Sequence, residues 1–133
     1  MFLSATMLKS VQNVNSFQRT TTVPVRLGNP TTLYIQLTDA EQTDSYGNAL
    51  RYMPAVGATL TITIDNISGT NNISNRAASQ PYSQDSSIWA LTVTSSDVLR
   101  SGNITGTLTE GATVRTFVIQ SAITVQSTNM EYC

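Results

Sequence analysis

The chain has 133 residues, a formal net charge of −1 and charged residues at only 11%, about half the usual share. That length fits one domain able to bury its own core, and the lone Lys9 and six scattered arginines exclude the basic stripe that nucleic-acid binding needs. There is no histidine, and the single cysteine is the last residue, Cys133, so an imidazole base, an internal disulfide and a Cys/His zinc site are all excluded.

Residues 1–19 read as an N-terminal arm, extended or partly helical, set apart from a domain over residues 20–133. Its apolar positions include Phe2, Leu3, Met7, Leu8, Val11 and Phe17. Leu3, Met7 and Val11 follow a helical spacing, but Asn13 and Asn15 weaken a helix. Such an arm cannot bury these side chains by itself, so a neighbouring subunit is expected to cover them; folding back on its own domain is the alternative. The apolar run is too short for a signal peptide, and no stretch approaches the roughly 18 apolar residues of a membrane span. The expectation is cytoplasmic synthesis with no membrane partner.

Strands follow. Residues 21–27 place Val23, Val25 and Leu27 on one face, with Pro24 marking an edge strand. Gly28-Asn29-Pro30 reads as a turn, and residues 32–38 place Leu33, Ile35 and Leu37 inward, which predicts a hairpin. A long connection, 39–57, carries Tyr46, Tyr52 and Met53. Residues 58–64 alternate strictly, with Leu60, Ile62 and Ile64 on one side. A second long loop, 65–85, precedes a strand over 87–94 that contains Trp89, a large core or interface anchor. Residues 94–102 read as one helical turn stopped by Gly102. Strands over 103–109, 113–120 and 122–127 close the chain, the first two joined by a Glu110-Gly111-Ala112 hairpin turn. About seven short strands predict an all-β fold, an immunoglobulin-like antiparallel β-sandwich.

Little chemistry is on offer. A Ser–Lys pair would need Lys9, in the arm, and no phosphate loop of the required spacing occurs. Asp39, Glu41 and Asp44 present hard oxygen ligands, but their order does not match a calcium loop and they read as solvated carboxylates. No catalytic residue, metal or cofactor is expected. Exposed tyrosines suit protein contacts or sugar stacking. Tyr46, Tyr52 and Met53 are therefore named as contact residues beside Phe2, Leu3, Met7, Leu8, Val11 and Phe17, and loops around Tyr46, Tyr52 and Tyr82 offer a second class of function, host glycan or receptor binding.

The order of motifs resembles a known family. Val25-Arg26-Leu27-Gly28-Asn29, followed by Leu33-Tyr34-Ile35-Gln36-Leu37-Thr38-Asp39, is similar to the opening of phage virion domains of the baseplate-upper-protein type. Residues 51–62, Arg51-Tyr52-Met53-Pro54 running into Gly57-Ala58-Thr59-Leu60, look like that family's strand entry. Asp85-Ser86-Ser87-Ile88-Trp89 and Gly102-Asn103-Ile104 leading to Leu108-Thr109-Glu110-Gly111 look like its later strand and closing hairpin. The likeness spans residues 21–127. It implies a bacteriophage virion structural protein, with other virion proteins (the major capsid or tail proteins) and copies of itself as partners. Without the large extensions of baseplate proteins, the chain fits best as a capsid decoration or cement protein, with a tail, collar or baseplate component as the alternative. The family implies no catalytic residue.

Overall fold

A computed structural model describes residues 2–8, 19–20, 22–26, 30–47, 49–66, 73–93 and 99–126. Among them the chain is all β, with ten strands: β1 (Leu3–Leu8), β2 (Arg19–Thr20), β3 (Val23–Arg26), β4 (Thr31–Thr43), β5 (Ala49–Arg51), β6 (Thr59–Asn66), β7 (Arg76–Ala77), β8 (Ile88–Val93), β9 (Leu99–Glu110) and β10 (Thr113–Gln126). The first sheet runs β2-β1-β4-β5 with β8 also paired to β4, and the second runs β3-β10-β9-β6-β7. The two pack as a sandwich.

The core follows from alternation. Leu33, Ile35 and Leu37 of β4 meet Leu60, Ile62 and Ile64 of β6 in one buried cluster, joined by Trp89, Leu91, Ile104, Leu108 and Phe117. Each fully buried aliphatic side chain stabilises the fold by about 1.5–3 kcal/mol relative to exposure. Gly106 is required opposite Phe117, its cross-strand partner: a Cβ on Gly106 would overlap the Phe117 ring. The aromatic ring fills the space that the glycine leaves. The two-residue turn between β9 and β10 has Gly111 at φ +58°, a positive value that glycine tolerates.

Several expectations change. The segment read as an arm contains β1, which pairs with β4 from Leu3↔Asp39 to Leu8↔Tyr34 and with β2 on its other side. Over Leu3–Leu8 the chain folds back on its own sandwich rather than waiting for a neighbour. The 21–27/32–38 hairpin does not form: β3 pairs in parallel with β10, at the edge of the second sheet, while β4 is central in the first. The Pro24 edge assignment agrees with that placement. Residues 99–102, read as the end of a helical turn, are strand; 94–98 lie outside the described residues. The two last strands are one, β10, with a register shift between Ile119 and Ile123 that brings Ala122 and Ile123 into the core. The first long loop is partly strand, since β4 continues to Thr43 and β5 returns beside it. The second long loop also contains a short strand, β7, paired with β6, so the seven expected strands become ten among the described residues.

Candidate interaction surface

One end of the sandwich is closed by a polar clasp. Glu110, the last residue of β9, faces inward there. Tyr52 donates its hydroxyl to Glu110 Oε1 and Oε2, each at 2.8 Å; Ala55 N–H donates to Oε2 at 3.0 Å; and Arg115 Nη1 donates to Oε1 at 2.9 Å. Tyr52 N–H in turn bonds the Leu37 carbonyl of β4 at 2.8 Å. The clasp therefore ties the two sheets together. Partial burial alone would raise the Glu110 pKa, but the Ala55 amide, the Tyr52 hydroxyl and Arg115 outweigh it and hold the carboxyl below its ordinary value. Burial, then the Glu110 carboxylate, push the Tyr52 phenol above its ordinary value.

Asp39 stands at the same end. Its Oδ1 accepts the amides of Phe2 at 3.1 Å and Glu41 at 3.0 Å. The Glu41 amide lowers the Asp39 pKa most; burial opposes this and the Phe2 amide adds to it. The carboxylate thus works as an anchor for the backbone on either side. Phe2 is further fixed by its carbonyl, which accepts the Ala40 amide at 2.8 Å.

Around this bonded end stand exposed apolar side chains. Phe2 is 63% exposed, Leu50 40%, Met53 53% and Val56 106%. Phe2 and Leu50 flank Asp39, Leu50 as its cross-strand partner. Met53 and Val56 belong to the loop held by Tyr52 and Ala55. Val56 projects because it occupies the turn closed by Ala58 N–H to the Ala55 carbonyl at 3.1 Å, with Gly57 at φ +88°. Tyr46, 88% exposed, tips the β4–β5 hairpin, where Asp44 Oδ1 accepts the Tyr46 amide at 2.8 Å.

The residues named from sequence divide clearly. Phe2, Tyr46 and Met53 are exposed on fixed backbone. Leu3, Met7 and Leu8 are buried within this chain, Leu3 and Met7 in the main core cluster, so they are not available as a free contact surface. Their alternation within a six-residue strand, supported by β2 and β4, explains this. Val11, Phe17 and Cys133 lie outside the described residues. Tyr52 is half-buried in the clasp, and Tyr82 is half-buried with its hydroxyl hydrogen-bonded to Tyr34. The sequence reading missed Leu50 and Val56, and also Val114 and Val118 on the outer face of the second sheet. Pro54-Ala55-Val56-Gly57 carried a turn signal that would have placed Val56 at a tip. Residues 117–119 are apolar at both parities, which hid the outward turn of Val118.

Asp39, Glu41 and Asp44 do not gather: the first two lie along β4 and the third caps the hairpin turn. Among the described residues no group of three His, Cys, Asp or Glu side chains is placed to hold a metal ion, and no helix is long and apolar enough to cross a membrane. No family model and no curated protein matches this sequence.

Proposed function

We propose that this chain is a structural subunit of a larger particle, and specifically a bacteriophage virion protein of the capsid decoration or cement kind, with a tail, collar or baseplate component as the nearest alternative. The observation that carries the assembly reading is the set Phe2, Leu50, Met53 and Val56, exposed on backbone that the Asp39 and Glu110 carboxylates hold in place. Exposed Phe, Met and Leu on a preorganised surface lose little freedom on docking, and aromatic and Met side chains are favoured at contact centres. The near-neutral charge lets identical copies approach without strong repulsion, and many weak identical contacts sum on a symmetric lattice. The phage assignment rests on the motif resemblance over residues 21–127. Of the three tyrosines named for the glycan reading, Tyr46 is exposed while Tyr52 and Tyr82 are half-buried and engaged internally.

Gold-labelled antibody against the chain, viewed on purified phage particles, tests the assignment. Regular labelling of the head is expected for a decoration protein and labelling of the tail for the alternative. Bare particles overturn both. A Met53→Glu/Val56→Glu chain is expected to melt with the parent and to be absent from particles; normal incorporation removes this end of the sandwich as the docking surface.

A further inference from the structure

The first sheet carries a second feature on the face turned away from the core. A cleft of about 320 Å³ opens there, lined by Arg19, Gln36, Asp44, Ala49, Leu50 and Arg51. Its chemistry is one-sided. Arg19 of β2 donates Nε–H to Gln36 Oε1 at 3.1 Å and Nη2–H to the Ala49 carbonyl at 3.5 Å. Arg51 of β5 donates Nη1–H to Asp85 Oδ2 at 2.6 Å, and Asp85 is buried. Each guanidinium presents five N–H donors in a rigid fork, and these bonds occupy the minority of them. Gln36 is fully buried, and its Nε2 has no hydrogen-bond partner among the described residues. A buried amide nitrogen without a partner carries an uncompensated desolvation cost. On the acceptor side the lining offers the Asp44 carboxylate, whose Oδ1 already accepts the Tyr46 amide.

We propose that this cleft binds a small ligand through an oxyanion group, a carboxylate or a phosphate, gripped by the Arg19 and Arg51 forks. Asp85 behind Arg51 and Asp44 at the rim balance the two cationic side chains, so the pull on an anion comes from the surplus guanidinium N–H donors, which call for an acceptor-rich group. Guanidinium forks match both oxyanions bidentately. The guanidiniums are preorganised, Arg19 by Gln36 and Ala49, Arg51 by Asp85, so little side-chain entropy remains to be lost on binding. The cleft is of the size that admits a small organic ligand, and Ala49 and Leu50 give it an apolar wall for the ligand's body. Buried Gln36, with its unpartnered amide, forms part of the same lining. Leu50 borders both this cleft and the proposed docking surface, but the two readings are tested separately, the cleft by Arg19 and Gln36 variants and the docking surface by the Met53/Val56 variant.

The test is a titration of the full chain with citrate and, separately, with inorganic phosphate, followed by calorimetry and amide NMR shifts at constant ionic strength. Saturable binding of either is expected, with shifts centred on residues 19, 36 and 49–51. Tighter citrate assigns a carboxylate ligand and tighter phosphate a phosphate. Arg19→Gln, at an exposed position, is expected to keep the parent melting temperature and to weaken binding about tenfold or more, as the loss of one charge-assisted hydrogen bond implies. Gln36→Met is expected to weaken binding without lowering the melting temperature, a split that a purely structural glutamine would not give. If neither anion saturates, or if Arg19→Gln binds as the parent does, the cleft is not an oxyanion site.

Discussion

On the outer face of the second sheet the register sets Thr59, Thr109 and Val114 in one row across three strands, Thr61, Thr107 and Thr116 in the next, and Thr63, Thr105 and Val118 in the third. All nine are uncharged, and each is exposed or half-exposed. The outer face of the first sheet has the same alternation, yet Leu8, Gln36, Thr38 and Ile88 on it are buried. Among the described residues, 79–87 lie over part of that face. Ser79 bridges to Ala90 of β8, Tyr82 bonds Tyr34 of β4, and buried Asp85 ties Ser87 to Arg51 of β5. One sheet has a second layer built from a loop; the other meets solvent directly. A polar residue in an alternating strand is therefore wet only where no connection lies over it, and the strand's own sequence does not say which case holds.

The largest effect expected from this contrast is at β1, which carries the first sheet's core and its covered face together. Met7 is fully buried and pairs with Ile35. Met7→Ala is expected to cost about 2–5 kcal/mol, from lost transfer energy plus the cavity left behind. Chemical denaturation of parent and variant measures it. A cost near zero would mean that residues 3–8 are the detachable arm that the sequence suggested, and would remove β1 from the sheet.

Next comes the covering layer itself. Asp85 Oδ1 accepts Ser87 N–H at 3.0 Å and the Ser87 hydroxyl at 2.5 Å, while Oδ2 takes Arg51. Arg51 is 46% exposed, so water compensates that partner when it is lost; buried Ser87 has no such recourse. Asp85→Ala is expected to cost about 2–3 kcal/mol, mostly from the stranded Ser87 donors. Hydrogen exchange should then speed at residues 79–90 and stay unchanged in β9 and β10. Uniform acceleration through both sheets would show that the loop is not a separate layer.

The elements that sequence made legible are those with one unambiguous period. Residues 58–64 alternate so strictly that β6 and its buried Leu60, Ile62 and Ile64 follow directly, and the Gly111 turn fixes the β9–β10 hairpin. Where two periods fit, the reading failed. Leu3 and Met7 are four apart, a spacing that suits one face of a helix and one face of a strand equally. Met7 and Leu8, apolar at opposite parities, are the trace of a strand buried on both sides. Pairing partners were harder still. Val23 and Val25 fit any sheet, and the parallel bond to Ile123 and Val125 is a long-range choice that local pattern does not encode. Of the candidate surface, Phe2, Tyr46 and Met53 were legible because large apolar residues sat in segments without alternation. Leu50 was not, since its exposure depends on lying beyond the end of the core. The cleft of Arg19, Gln36 and Arg51 draws on three strands, β2, β4 and β5, whose placement in one sheet depends on β1 lying between β2 and β4, and no local motif announces it.

The smallest effect is the sharpest comparison, because it makes one substitution on both faces. Thr→Val exchanges a hydroxyl for a methyl and keeps the β-branched shape that strands favour. Thr38 is buried, and its hydroxyl shares a 2.6 Å hydrogen bond with Ser4 Oγ. Thr38→Val leaves the half-buried Ser4 hydroxyl with only its longer bond to the Thr38 carbonyl, at 3.4 Å, which is expected to cost about 1 kcal/mol. Thr107 lies half-exposed in the middle of the threonine rows, where water replaces whatever the hydroxyl loses, so Thr107→Val is expected to stay within about 0.5 kcal/mol of the parent. Paired denaturation curves give the difference directly, and residual strand-propensity effects cancel because both strands are flanked on two sides. Equal costs would place Thr38 in solvent or Thr107 under a cover, and either result would dissolve the distinction between the two faces.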